Sequence, residues 1–130
     1  MHRFFLIAVG GGIGALSRYA ISGATYRQLG GAFPWGTLSV NLIGAFVIGL
    51  LWGFSENGDI SSDLRSFLFI GILGSFTTFS TYSLETLNLF RDGETGLALL
   101  NILMGNLLGI ALALVGFITS RYLIKLIGGR

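Results

Sequence analysis

Charge is missing from long stretches of this 130-residue chain, and that limits its folds more than any other feature. No charged side chain occurs in the 28 residues from Gln28 to Ser55, the 19 from Ser66 to Leu84 or the 26 from Thr95 to Ser120. A charge at the centre of a bilayer costs roughly 2.5–3.5 kcal/mol on insertion scales, and a spanning helix needs about 20 apolar residues. Each run therefore suits one crossing. A shorter run of 14, Phe4 to Ser17, stops at Arg18 and resumes as far as Tyr26, as a first span with a charge near one end would. The expected fold is an all-α membrane protein with helices at about 3–25, 34–54, 65–90 and 96–125, in one transmembrane domain covering 1–130.

Composition narrows the class further. Only 11% of residues are charged, against roughly a quarter in a soluble domain, and the mean hydropathy is +0.78. A disordered tail, a charged coiled coil and most soluble enzymes are excluded. The apolar runs lack the period-2 alternation of a transmembrane barrel. Met1-His2-Arg3 before an apolar stretch has the look of a signal peptide, but the rest of the chain is equally apolar, so the segment reads as a retained span. Without cysteine there are no disulfides, zinc–thiolate sites or thiol nucleophiles.

The connections are short. Pro34 suits the first turn of the second helix, where its missing N–H is harmless. Asn57-Gly58-Asp59 reads as a turn, with Ser61, Ser62 or Asp63 as cap of the third helix. Four spans put both termini on one side with the 55–64 loop. That side carries Arg3, Arg65, Arg121, Lys125 and Arg130; the other carries Arg18, Arg27 and Arg91. Five against three is a weak positive-inside bias. It suits insertion in both orientations, and equally a single orientation with the N-terminus inside.

Small residues recur four apart at Gly10–Gly14, Ala45–Gly49–Gly53 and Gly105–Gly109–Ala113. Such stripes let helix backbones approach closely in lipid. Four helices have few internal faces for three stripes, which points to a homo-oligomer, most simply a dimer. Gly10-x-Gly12-x-x-Ala15 superficially matches a dinucleotide fingerprint, but no Asp or Glu precedes Glu56 and no soluble βαβ unit follows. Neither nucleotide nor nucleic acid is an expected partner.

The third span is the unusual one. Five of the seven residues from Thr77 to Ser83 are Ser or Thr, interleaved with Phe79 and Tyr82. These are poor helix formers at membrane mid-depth. One reading is a broken helix, which would offer carbonyls to a cation on one side and N–H groups to an anion on the other. The other is an intact helix whose hydroxyls bond back to its own carbonyls. Phe79 and Tyr82 share a face that Glu85 extends, and a ring edge can favour an anion without formal charge; ordinary packing gives the same spacing. Asn41 and Asn106 are membrane amides that need partners, whether a helix, water or an ion. Arg18 and Glu85 either pair or stand at opposite mouths of a path.

Gly36-Thr37-Leu38-x-Val40-Asn41-x-x-Gly44 in the second span, with Gly71-x-x-Gly74-x-x-Thr77-Thr78-Phe79-Ser80-Thr81-Tyr82-Ser83-x-Glu85 in the third, resembles the CrcB/Fluc family of fluoride channels. Gly14-Ala15-x-x-Arg18-Tyr19 and Gly105-Asn106 agree, so the resemblance covers essentially the whole chain. It implies a dual-topology, antiparallel homodimer with two fluoride pathways in a cell (inner) membrane, exporting fluoride passively and lowering its cytoplasmic level. It also implies a structural sodium ion (Na+) at the dimer interface, held by the main-chain carbonyls of Gly74 and Thr77. The family's pore asparagine falls on Asn41 and its first fluoride-facing phenylalanine on Phe79. Ser80, Thr81 and Ser83 match its hydroxyl-rich segment, and Arg18 its vestibule arginine. The second phenylalanine of the pattern is Tyr82 here. No bond is made or broken in such a task, so no enzyme is expected. The alternative is a small dual-topology multidrug or metabolite exporter, which would be expected to carry an acid early in the chain as a proton-coupled binding site; the first span has Arg18 and none.

Overall fold

The computed structural model describes residues 1–56 and 60–128, and these are almost wholly helical. Helix α1 is His2–Leu29 and α2 is Trp35–Glu56. The third span, Ser62–Arg91, comprises α3 (62–76) and α4 (Phe79–Arg91). The fourth span is α5, Thr95–Gly128. All four spans are long and apolar enough to cross a membrane.

Each helix differs from its expected bounds by up to four residues. Helix α1 continues through Arg27, a cation well placed near the negative helix end, and stops at Gly30 and Gly31, whose φ of 58° and 81° only glycine adopts without strain. Pro34 stands just before α2 rather than within its first turn, its carbonyl accepting from the Leu38 N–H at 3.1 Å. Of the three candidate caps for α3, Ser61 serves: its hydroxyl accepts from the Leu64 N–H at 3.3 Å. The expected turn at Asn57-Gly58-Asp59, and Arg130, lie outside the described residues. Wide π-type turns run through Ser66–Leu73 in α3 and Met104–Leu108 in α5. Nothing in the local sequence announces them.

Helix α2 packs along α5, and α1 along α3. Glycine decides both contacts. A Cβ on Gly14 would overlap the Ile72 carbonyl oxygen, and one on Gly10 would stand 2.8 Å from that of Phe67. Gly49 abuts the Ala113 carbonyl, Gly53 the Ser120 hydroxyl and Gly116 the Phe46 carbonyl. Backbones that close gain dispersion contact in a solvent that supplies no hydrophobic drive. The first two stripes are thus occupied within one chain and give no support to an oligomer. The third divides, because Gly105 faces Tyr82 while a Cβ on Gly109 would meet nothing.

Salt bridges locate the chain ends. Asp63 accepts from Arg3 at 3.1 Å and lies 3.6 Å from His2, while Arg121 reaches Glu56 at 4.0 Å. Both ends of the chain therefore share one face with the connection between α2 and α3. Exposed pairs of this kind contribute at most about 1 kcal/mol; their value here is as markers of topology.

Gly116→Ala should push α2 and α5 apart and lower stability by about 1–3 kcal/mol, the usual range for overpacking. Gly96→Ala, where a Cβ meets nothing within 4 Å, should stay within about 0.5 kcal/mol of the unaltered protein. Denaturation in detergent, followed by circular dichroism, measures both.

Candidate functional site

Thr77 and Thr78 separate α3 from α4. Both have extended dihedrals, φ −81° and ψ 157° at Thr77, φ −149° and ψ 112° at Thr78. Extended backbone at membrane depth strands polar groups unless side chains take them up. Asn41 on α2 does so. Its Oδ1 accepts the Thr78 N–H at 2.8 Å, and its Nδ2 donates to the Thr78 carbonyl at 3.1 Å. A main-chain N–H can only donate, so the orientation of the amide is fixed. Thr78 in turn caps α4: its hydroxyl accepts from the Thr81 N–H at 3.2 Å and bonds the Thr81 hydroxyl at 2.9 Å.

These bonds redirect two donors. In a continuous helix the N–H of Thr78 would serve the Gly74 carbonyl, and that of Thr81 the Thr77 carbonyl. Here the first goes to Asn41 and the second to the Thr78 hydroxyl. The carbonyls of Gly74 and Thr77 thereby lose their i+4 donors, as do those of Ser75 and Phe76 between them. The other hydroxyls behave conventionally, Thr77 bonding the Leu73 carbonyl at 3.0 Å and Ser83 the Phe79 carbonyl at 2.8 Å.

Asn41, Gly74, Thr77, Thr78 and Phe79 share one cleft of about 360 Å³. Arg18 and Thr81 line another, of about 540 Å³, together with Tyr26, Thr37 and Thr78. Thr78 therefore stands between the two. Phe79 is 78% exposed, and Gly74, Ser80, Thr81 and Ser83 are exposed beside it. The Phe79 and Tyr82 rings touch, with centroids 5.6 Å apart and planes inclined at 39°. Tyr82 lies outside the Asn41 cleft and leans on α5, where the Asn106 amide donates to its phenol oxygen at 3.0 Å.

Arg18 and Glu85 do not pair. Glu85 Oε1 instead accepts from the Tyr26 and Thr37 hydroxyls, each at 2.8 Å, tying α4 to α1 and α2, while its buried Oε2 has no partner among the described residues. A second link escaped the sequence reading. Asn101 on α5, 1% exposed, donates to the Thr86 hydroxyl at 2.9 Å, and Thr86 donates to the Tyr82 carbonyl at 2.8 Å. A lone amide in an apolar run was its signal, the same one that singles out Asn106.

Asn41→Leu would leave both polar groups of Thr78 unpaired and should cost about 2–6 kcal/mol, at 1–3 kcal/mol for each stranded group. Asn41→Asp keeps the acceptor and loses only the donor, so it should melt between Asn41→Leu and the unaltered protein. The order of the three melting temperatures in one detergent is the measurement.

Comparison with known proteins identifies the family. The model for the family "CrcB-like protein, Camphor Resistance (CrcB)" matches residues 5–117. A protein of Magnetococcus marinus named fluoride-specific ion channel FluC is 51% identical over 116 residues, 88% of this chain and 94% of the relative. Proteins of the same name from Parabacteroides distasonis and Thermus thermophilus are 42% identical over 127 residues and 46% over 117. The first alignment covers 98% of this chain and 99% of the relative, the second 90% and 94%. The chain belongs to the CrcB-like family.

Proposed function

We propose that this protein is a passive fluoride channel of the cytoplasmic (inner) membrane, working as an antiparallel homodimer. The observation that carries the reading is the uncharged polar face at the start of α4. There Phe79, Ser80, Thr81 and Ser83 stand exposed beside a backbone interruption. Fluoride is small and strongly hydrated, so a selective path must replace its water with donors at close range. Hydroxyls, ring edges and the positive end of α4 supply attraction with no fixed cation to trap the ion. Arg18 lies in the neighbouring cleft and draws anions toward its mouth. The exporter reading is not favoured, since the relatives are named fluoride channels and the first span holds no acid.

A second copy follows from the same face. Lipid offers nothing to the open Gly74 backbone or to the spare capacity of the exposed hydroxyls, which bond only within their own chain, so one chain alone would leave a polar face against hydrocarbon. Burying that face against an inverted copy removes the difficulty, and the five-to-three distribution of basic residues permits both orientations. The carbonyls of Gly74 and Thr77 suit a sodium ion shared by two copies, because their helical donors are engaged elsewhere. Among the described residues no cluster of three acidic or histidine side chains offers another cation site. When bound, sodium would supply positive charge to the carbonyl dipoles; Gly74 and Thr77 would hold it.

Liposomes loaded with fluoride should empty through the purified protein, and chloride-loaded ones should not. Phe79→Ile keeps apolar volume but deletes the ring edge, so fluoride efflux should fall by tenfold or more while stability changes by under about 1.5 kcal/mol. Near-normal efflux from folded Phe79→Ile would return Phe79 to the status of a packing residue. Gly74→Val should disturb dimer assembly more than Thr77→Ala does, since carbonyls rather than side chains are the proposed ligands. Cysteine tags at a terminus should label from both sides of the cell membrane; labelling from one side only would rule out dual insertion.

A further inference from the structure

Tyr82 is held from α5 at both ends. Its main-chain carbonyl accepts from Thr86, which accepts from Asn101, and its phenol oxygen accepts from Asn106 Nδ2 at 3.0 Å. Gly105 makes room for the ring, for a Cβ there would lie 3.0 Å from Tyr82 Cε2. The direction of the phenol bond is not a matter of choice. Asn106 Nδ2 also lies 2.7 Å from the Ile102 carbonyl, which can only accept, so the atom facing both partners is the nitrogen. One amide hydrogen goes to Ile102 and the other to the phenol. The tyrosine oxygen is therefore the acceptor, its own hydrogen is left over, and no acceptor among the described residues takes it. A hydroxyl that already accepts a hydrogen bond is polarised into a stronger donor.

We infer that Asn106 is a positioning residue that presents the Tyr82 O–H as a donor to the anion passing Phe79. The inference rests on the fluoride-channel reading and deepens it. At the position where the family resemblance implies phenylalanine, this chain adds a hydroxyl, and a neighbouring helix provides the one side chain that orients it. The ring pair then offers an aromatic edge from Phe79 and an O–H from Tyr82, 5.6 Å between centroids. Without Asn106 the phenol would be free to turn its hydrogen elsewhere, onto water or a carbonyl, and the anion would lose a donor.

The test is a double-mutant cycle of fluoride efflux from liposomes, using Tyr82→Phe, Asn106→Leu and the pair, with dimer integrity checked by gel filtration. Each single variant should slow efflux by roughly threefold to tenfold, the size of one hydrogen bond. The pair should be no slower than Tyr82→Phe alone. A spectroscopic readout separates positioning from packing. With ¹³C at the tyrosine ζ carbons, the Tyr82 resonance, identified by its loss in Tyr82→Phe, should shift on adding fluoride and stay put with chloride. In Asn106→Leu that shift should shrink. Independent slowing by the two substitutions, or a Tyr82 resonance indifferent to fluoride, would overturn the inference. Either result leaves the channel reading standing, whereas no fluoride efflux from the unaltered protein would remove both.

Discussion

Every backbone N–H and C=O inside a bilayer must find a partner from the protein, and the interruption at Thr77–Thr78 is tolerable only because Asn41 meets that demand. Its amide carries one donor and one acceptor at the spacing of a peptide group, so it substitutes for the helical neighbours that Thr78 has lost. The same act frees the carbonyl of Gly74, and the Thr78 hydroxyl frees that of Thr77 by taking the Thr81 N–H. One side chain on α2 thus sets the geometry on both sides of the interruption. Asn41, expected from the family resemblance to line the fluoride path, has both ends of its amide engaged with Thr78 in a cleft that the two residues share.

Close helix contact is the condition for this arrangement. Asn41 reaches Thr78 because Gly44 admits the Thr77 side chain, where a Cβ would overlap its methyl group. Gly49 and Gly116 bring α2 onto α5, and Gly10 and Gly14 bring α1 onto α3, so the interrupted span is gripped from two directions. Small residues do in lipid what large apolar ones do in water. They let dispersion and short polar links accumulate where burial of apolar surface yields nothing. Of the few buried apolar side chains, Leu73 and Phe76 precede the interruption directly, while Phe33 and Leu89 lie well away from it in the chain.

The spans were legible in the sequence because desolvating a charge is a large and local penalty, visible in any uncharged run. Helix ends were less so, since Ser61, Ser62 and Asp63 are all competent caps and tertiary contact chooses between them. The hydroxyl-rich segment marked where the third span departs from helical dihedrals, but not which two residues would do so. Partners across helices were the least legible. Charge alone left Glu85 either a mate for Arg18 or a group at the opposite mouth of a path; in the fold, the Tyr26 and Thr37 hydroxyls hold its Oε1 and Arg18 does not pair with it. Asn101 carried the same signal as Asn106 and differs only in rotation about α5, which depends on packing with α4 and on the wide turn at Met104–Leu108. The glycines of the first two stripes are contact surfaces and Gly109 of the third is not, and a stripe does not say whether its partner is another helix of the same chain or of a second one.

The case for the proposed second copy rests on polarity rather than on shape. An apolar helix face against lipid is complete, and the exposed leucines and isoleucines of α1 and α5 need no further cover. A face bearing Ser80, Thr81 and Ser83 is polar, and although its hydroxyls bond within the chain, hydrocarbon leaves their remaining capacity unused. Water could satisfy it, but only within a cavity that some other surface encloses. The proposed inverted copy supplies such a surface, and inversion brings the matching interruption to the same depth. The polar groups that make a single chain unfinished are then those that line the space between two. A channel for a small anion needs a narrow, polar, uncharged passage, and in the proposed dimer the two polar faces would provide one where the copies meet.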